Sequence, residues 1–201
     1  MRKQKTFLLA ACVLAAACFT KCSENKPADN NTVAINTSMT NGGFESQVKW
    51  GEHLVKVCGC NDCHTPKKMT SMGPVPNDSL MLSGHPSQVP APMIDRKLAQ
   101  SNGLGVTNDL TAWVGPWGIS YAANLTPDST GIANWTVEQF TKCLREGKWM
   151  GLDNTRQLLP PMPWQDFKSF TDDEIKALFS YLKSIPPIHN LVPQADPPVK
   201  M

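Results

Sequence analysis

The sequence predicts an all-α domain of three amphipathic helices, interrupted by a long irregular loop insertion. Two observations lead to this fold class. Three stretches carry helix signals: the first and third repeat apolar residues at helical spacing, and the second and third begin at capping boxes. The stretch from Thr65 to Ala123 shows no sustained period of either kind, and its recurring glycine, proline, serine and asparagine residues indicate turns and loops. We therefore expect one folded domain over residues 45–190 of the 201-residue chain.

The first predicted helix runs from about Ser46 to Val57. Its apolar residues recur at helical spacing, which places them on one face: Val48, Gly51, Val55 and Cys58. A helix with a single apolar face packs that face against the rest of its domain. We expect this helix to belong to the core.

The second predicted helix begins at a capping box, in which an N-cap side chain and the side chain of residue N3 each bond the other's backbone N–H. Thr136 is the N-cap and Gln139 is residue N3. Trp135 and Phe140 flank the box as a hydrophobic staple, and Gly147 marks the end of the helix.

The third helix begins at a second capping box, formed by Thr171 and Glu174. The proline pair at 186–187 ends it, because proline cannot continue a helix. One apolar stripe follows its length, made of Ile175, Leu178, Phe179, Leu182 and Ile185. This pattern predicts the most regular helix of the chain.

The N-terminus predicts export and a lipid anchor. A basic start is followed by an apolar run over residues 7–17, which suits a signal-peptide core and is too short to span a bilayer. Small residues lead into Cys18, so we expect a lipoprotein signal peptide over residues 1–17, a lipid on Cys18 and a location on the periplasmic side of a membrane. The alternative is an ordinary cleaved signal peptide followed by chance cysteines.

Two further segments lack the apolar residues of a core. Residues 18–44 are rich in asparagine, threonine, serine and lysine, and this composition predicts a disordered tether. Residues 191–201 contain three prolines and predict an extended Pro-rich tail on the surface.

Charge and cysteine content narrow the function classes. Removal of Arg2, Lys3 and Lys5 with the signal peptide takes the formal charge from +2 to about −1, which does not indicate a nucleic-acid partner. Seven cysteines indicate an oxidising compartment, or chemistry that uses cysteine, or both.

Residues 60–64, Cys-Asn-Asp-Cys-His, form the C-x-x-C-H pattern of covalent haem attachment. On a turning helix, Cys60 and Cys63 lie along one porphyrin edge, where each thiol can form a thioether with a vinyl group. His64 then supplies a neutral nitrogen ligand to the iron. A zinc site would need a second pair of ligands at matching spacing, and a thioredoxin-like pair would follow a strand. The sequence offers neither context, so we expect one covalent haem c.

The chain resembles mono-haem, class I-type cytochrome c domains, such as those in the cytochrome subunits of bacterial membrane-bound dehydrogenases. The resemblance covers residues 45–190. It is carried by the haem motif together with residues 50–55 (WGEHLV), 124–128 (NLTPD), 144–148 (LREGK), 159–164 (LPPMPW) and 177–187. Those subunits usually carry several C-x-x-C-H motifs, whereas this chain carries one. The resemblance implies a cytochrome c fold, with crossing N- and C-terminal helices around a single haem.

The resemblance also implies that Met162 is the second axial ligand. Independently, flanking prolines stiffen this loop and can hold a soft thioether in place. Core filling is the alternative role for Met162. Other side chains in the irregular stretch could compete as ligands: Met69, Met72, Met81, Met93 and His85.

Further roles follow from the resemblance alone. Gly51 is expected to let the first helix approach Tyr181 closely, and the Pro74 carbonyl is expected to accept the hydrogen of His64 Nδ1. The candidates for the pocket wall are Trp135, Trp164 and Leu125. Asn124 or Trp135 is the candidate for a hydrogen bond to a haem propionate. Ordinary core packing is the alternative for the aromatic residues.

With His64 and Met162 on the iron, no position is open for substrate, so we expect a single-electron carrier and not an enzyme. Its partners would be redox proteins such as a dehydrogenase, an oxidase or another cytochrome, with the membrane reached through Cys18. Two alternatives remain: a haem subunit docked permanently in a dehydrogenase or oxidase complex, and a haem protein with an open catalytic or gas-binding site. In an oxidising compartment, Cys58 and Cys143 could also form a disulfide.

Overall fold

The computed structural model of the chain describes residues 40–200. The predicted signal peptide, Cys18 and nearly all of the predicted tether lie outside these residues. Within them, six α-helices are accompanied by two antiparallel sheets. The predicted all-α class is therefore wrong, because the insertion contains strands. None of the helices in this part of the chain is both long and apolar enough to cross a bilayer.

The three predicted helices are present with nearly the expected bounds. They are α1 (Gln47–Val57), α4 (Val137–Glu146) and α6 (Asp172–Ser184). Ser46 caps α1 by accepting the Lys49 N–H, and both predicted capping boxes are formed. Three short helices complete the set: α2 (Cys60–His64), α3 (Arg96–Asn102) and α5 (Trp164–Phe167).

Helices α1 and α6 cross at Gly51, as the resemblance predicted. A Cβ atom on Gly51 would lie 1.9 Å from the Ala177 carbonyl oxygen and 2.8 Å from Tyr181 Cβ. Only a residue without a side chain fits so close to another helix backbone. The apolar core lies around this crossing and is made mainly by α1, α4 and α6, with Leu82 and Ile132 added from the loops.

The insertion begins with a hairpin of β1 (Lys67–Thr70) and β2 (Gly73–Pro76). After α3, a second sheet has the order β3 (Gly105–Val106), β4 (Ala112–Gly115) and β5 (Gly118–Tyr121). These strands are two to four residues long, and every residue of β4 is buried. Such strands give little of the alternation that marks a half-buried strand, which explains the wrong fold class.

The proline-containing tail packs against this second sheet. Ile119 and Asp196 exchange two backbone hydrogen bonds of 2.9 and 3.1 Å. Gln100 bonds both backbone polar groups of Val199 at 3.0 and 3.3 Å. The tail thereby continues the folded unit beyond Asn190.

Candidate haem site

Helix α2 carries the three residues of the haem motif. Its N-cap, Gly59, has the left-handed φ of +67°, which lets the chain turn sharply from α1 into α2. Cys60 and Cys63 are one helical turn apart, so their side chains lie on the same side of α2. His64 ends the helix. The fold thus presents two thiols and one imidazole from a single turn of backbone.

The His64 ring is oriented by a backbone carbonyl at the C-terminal end of the insertion. Its Nδ1 donates to the Ala123 carbonyl oxygen at 2.8 Å. A carbonyl can only accept, so Nδ1 carries the hydrogen and the neutral ring has its lone pair on Nε2. Burial of the ring lowers the pKa of His64, which favours this neutral form. Nε2 is therefore the atom suited to bind a metal.

The prediction that the Pro74 carbonyl accepts the hydrogen bond of His64 Nδ1 is wrong, because Ala123 takes that place. Pro74 lies in the exposed hairpin, opposite Met69 in the β1–β2 register. The insertion separates the end of the haem motif from the carbonyl that the ring needs, and that carbonyl follows 59 residues after His64.

Lys67 closes the C-terminal end of α2. Its ammonium donates to the carbonyl oxygens of Asn61 at 3.0 Å and Thr65 at 2.7 Å, and also to that of Asp62. The last carbonyls of a helix have no partner within it, and a cation there also interacts favourably with the negative end of the helix dipole. Lys67 therefore stabilises the geometry of the motif, although the sequence analysis did not single it out.

The two motif cysteines are neutral thiols in this environment. Burial raises the pKa of Cys60 to about 12. Burial also raises the pKa of Cys63, and the positive charge of Lys67 opposes this shift. Cys60 packs against the edge of the apolar core.

Met162 lies at the edge of the same core, half-buried, in the loop before α5. The loop is joined to α4 on its upstream side, where Leu158 N–H donates to the Gly147 carbonyl at 2.6 Å. On its downstream side, Asp166 N–H donates to Pro163 at 3.0 Å. Cys60 and Met162 are thus brought to one apolar cluster from positions far apart in the chain.

The competing ligands differ in their surroundings. Met69, Met72 and Met93 are exposed on the insertion, the last two by more than nine tenths. Met81 is half-buried and touches the same core as Met162, so it is the relevant competitor. His85 is fully buried, with Nδ1 2.8 Å from the Thr111 hydroxyl and Nε2 2.9 Å from the Val89 carbonyl. Both of its ring nitrogens are engaged within the insertion.

The candidates for the pocket wall divide into two groups. Leu125 and Trp135 are half-buried against the core, as expected of a wall. The Trp164 ring lies against Gly147, where an added Cβ would come within 2.4 Å of it. The Asn124 amide is used in the fold, because it donates to Ile188 O at 2.9 Å and accepts from Thr126 N at 2.9 Å. Asn124 is therefore not free for a propionate.

These residues fit a haem. Two thiols and a ring nitrogen with a fixed tautomer are the groups that would hold a haem covalently and give its iron one ligand. Like Cys60, several other apolar side chains at the edge of the core are partly uncovered, in keeping with the apolar faces of a porphyrin: Met81, Leu125, Trp135, Met162 and Phe167. Among residues 40–200, His, Cys, Asp and Glu form no cluster of three that would suit a simple metal ion.

The hypothesis of a Cys58–Cys143 disulfide is wrong, since both are free thiols. Cys143 is buried, and its thiol donates to the Lys148 carbonyl at 3.0 Å. Cys58 caps the end of α1, where burial and the nearby Glu174 raise its pKa. Helical periodicity placed both on inward faces, but it could not show that the two point at different neighbours.

Two features of the site differ in how well the sequence could reveal them. Lys67 follows the motif at the position where a helix C-terminus attracts a cation, so this signal was present in the sequence. Ala123 acts through its carbonyl group, which every residue has. Its role depends on the fold of the insertion and leaves no local signal.

Comparisons with known proteins agree with these observations. The chain is 43% identical over 68 residues to the fructose dehydrogenase cytochrome subunit of Gluconobacter japonicus, which covers 33% of the chain and 13% of that protein. It is 28% identical over 161 residues to the cytochrome c subunit of the quinone alcohol dehydrogenase of Gluconobacter oxydans. That match covers 78% of the chain and 26% of the relative. It is 26% identical over 153 residues to the gluconate 2-dehydrogenase cytochrome c subunit of Pantoea cypripedii, covering 76% and 25%.

The predicted resemblance to the cytochrome subunits of bacterial dehydrogenases is thereby confirmed. The chain spans about an eighth to a quarter of the length of these three relatives. No protein-family model matches it.

Proposed function

We propose that this chain is a haem-bearing electron-transfer subunit. It carries one haem c, bound through thioethers at Cys60 and Cys63, with His64 and Met162 as axial ligands. The observation that carries the proposal is the His64 ring, whose hydrogen bond to Ala123 leaves Nε2 free for iron at the end of a helix that also holds both thiols. The names of the relatives support the same function.

The bound haem supplies a reversible one-electron couple. His64 contributes a neutral nitrogen, and Ala123 keeps its ring in one tautomer and orientation. Met162 contributes a soft sulfur, which favours the reduced state of the iron relative to a second histidine. Half-buried apolar residues, including Leu125 and Trp135, keep water away. With both axial ligands from the protein, this arrangement transfers electrons and does not bind substrate at iron.

A membrane-bound dehydrogenase is the proposed partner, since the relatives are named as subunits of fructose, alcohol and gluconate dehydrogenases. We propose that the chain serves such an enzyme as a docked subunit. A free shuttle to an oxidase or another cytochrome is the variant of this proposal. Extraction in mild detergent followed by size-exclusion chromatography separates the two, because a docked subunit elutes with its enzyme.

A lipid on Cys18 completes the proposal, with residues 1–17 as the signal peptide and 18–44 as a tether on the periplasmic side of a membrane. Replacement of Cys18 by Ser tests this anchor. The mature domain should then move to the soluble periplasmic fraction with its haem intact. A variant that stays in the membrane fraction would point to another anchor.

Covalent attachment is tested by staining for haem after denaturing electrophoresis. Thioether bonds survive unfolding, so wild-type protein should retain the stain on the polypeptide. The double variant Cys60→Ser, Cys63→Ser should lose it. The matched control, Cys58→Ser with Cys143→Ser, also removes two thiols near the core and should keep the stain at the wild-type level. Haem that leaves denatured wild-type protein would contradict the proposal.

A further inference from the structure

We infer that Ser120, held in place by Trp117, is a positioning residue for the loop over residues 159–163, called the Met162 loop. One segment of the insertion then orients both axial ligands. This inference rests on the proposed function, because it takes Met162 as a ligand of the iron. Ser120 is buried in β5, and its hydroxyl is 2.6 Å from the Pro160 carbonyl oxygen, two residues before Met162.

The Met162 loop is poor in backbone donors. Three of its five residues, Pro160, Pro161 and Pro163, have no N–H group and cannot join a backbone ladder. Within the loop, Met162 N–H reaches Leu159 O at a long 3.3 Å. Proline rings stiffen the loop internally but do not attach it to its surroundings. The Ser120 hydroxyl provides such an attachment in the middle of the loop, on the side of the insertion.

The hydrogens of this contact can be assigned without ambiguity. The Pro160 carbonyl can only accept, so the Ser120 hydroxyl donates to it. The Trp117 indole N–H can only donate, and it lies 3.1 Å from Ser120 Oγ. The serine oxygen therefore accepts from Trp117 while donating to Pro160. This chain of two hydrogen bonds gives the hydroxyl a single direction.

Trp117 is itself held in place by the hairpin that joins β4 and β5. Pro116 and Trp117 form the two-residue turn between the paired Gly115 and Gly118. The indole folds back over Gly115, where an added Cβ would come within 2.5 Å of the ring. On the other side, Gly118 lies against the tail, where a Cβ would be 2.1 Å from the Asp196 carbonyl oxygen. A side chain on either glycine would therefore displace the turn that holds Trp117.

The same segment leads directly to the partner of His64. Ala123 lies three residues after Ser120, and its carbonyl accepts the His64 Nδ1–H at 2.8 Å. Between them, the Ala122 carbonyl accepts from His85 N–H at 2.9 Å, which ties the segment to the start of the insertion. Residues 120–123 therefore hold the His64 ring at one end and the Met162 loop at the other. This segment of the insertion thus connects the two ligand positions through hydrogen bonds.

The test measures how easily an external ligand displaces Met162 from oxidised protein. Imidazole is titrated while the red charge-transfer band of sulfur-ligated iron is followed. Loss of one buried hydrogen bond loosens the loop, so Ser120→Ala should raise the apparent imidazole affinity about fivefold. Ser120→Thr keeps the hydroxyl and should restore the wild-type affinity. Trp117→Phe leaves the Pro160 bond in place and should raise the affinity only about twofold.

Ser83→Ala is the matched control. Ser83 is buried in the insertion, and its hydroxyl donates to the Leu80 carbonyl at 2.9 Å, so it makes the same type of bond away from the Met162 loop. This variant should lose similar stability with the imidazole affinity unchanged. A merely structural role for Ser120 predicts that both variants behave alike.

The outcomes separate this inference from the proposed function. If wild type lacks the sulfur band, or Met162→Ala retains it, the proposed ligand is wrong and the inference falls with it. If Met162→Ala abolishes the band while Ser120→Ala binds imidazole like Ser83→Ala, the positioning role of Ser120 is refuted. The proposed electron-transfer function then still stands. If Ser120→Ala fails to fold, Trp117→Phe decides: an affinity equal to wild type overturns the inference.

Discussion

The helical layer, formed by α1, α4 and α6, and the insertion, residues 65–123, are stabilised in different ways. The helical layer is held by apolar contacts around the Gly51 crossing. The insertion buries seven polar side chains that all make hydrogen bonds: Thr65, Ser83, His85, Gln100, Thr107, Thr111 and Ser120. Apolar burial has no preferred direction, whereas hydrogen bonds fix the direction of the groups they join. The region that orients both proposed ligands is the one built from directional bonds.

The largest effect is expected at the helix crossing. Gly51→Val would place side-chain atoms inside the backbone of α6, since even a Cβ lies 1.9 Å from Ala177 O. We expect a loss of about 4 kcal/mol or more in the free energy of unfolding, measured by denaturant titration. Gly103→Ala is the control, because a Cβ there meets nothing within 4 Å. Equal stability of the two variants would contradict the described crossing.

A smaller and more local effect is expected from Asn190→Ala. The Asn190 amide donates to the carbonyls of Ser83 at 2.7 Å and His85 at 2.9 Å, and its oxygen accepts from Ser87 N–H at 2.9 Å. Its loss leaves buried backbone groups without partners, at a cost of about 3 kcal/mol. Hydrogen exchange should accelerate most at residues 82–87. The exposed neighbour His189 provides the control, and His189→Ala should leave exchange unchanged.

Sequence reasoning succeeded where structure is set by nearby residues. The apolar face of the first helix and the capping boxes at Thr136 and Thr171 predicted α1, α4 and α6 to within a residue or two. The sheets of the insertion depend on distant partners, since Ile119 pairs with Asp196. No window of sequence contains both sides of such a contact, so the insertion was predicted as an irregular loop.

The same distinction holds for the site. Cys60, Cys63 and His64 lie within five residues, and their spacing carries its own chemical meaning. Ala123 and Ser120 act on residues 59 and 40 positions away, one through a carbonyl and the other through a common hydroxyl. Met162 stays a prediction that follows from the resemblance and its flanking prolines.

The smallest effect concerns the two free thiols, and it shows whether the two regions unfold together. Burial raises the pKa of Cys143 to about 12, so only about one thiol in 10⁴ is a reactive thiolate at pH 8. Cys143 should therefore be alkylated only when α4 unfolds, and more slowly than the partly exposed Cys58. Labelling followed by peptide mass mapping measures both rates.

If the insertion unfolds separately from the helical layer, Asn190→Ala should leave the rate of Cys143 labelling within about twofold of wild type. Labelling that accelerates as much as exchange at residues 82–87 would show one cooperative unit. The contrast between the two regions would then not extend to their stability.

Carbon monoxide binding to the reduced protein tests the central claim most directly, because it reports whether the sixth position of the iron is filled by the protein. Wild type should bind carbon monoxide poorly, and Met162→Ala should bind it readily with a lower reduction potential. Met81→Ala is the matched control, since Met81 touches the same core, and it should behave like wild type. Rapid binding by wild type would contradict the electron-carrier account and favour an open catalytic or gas-binding site.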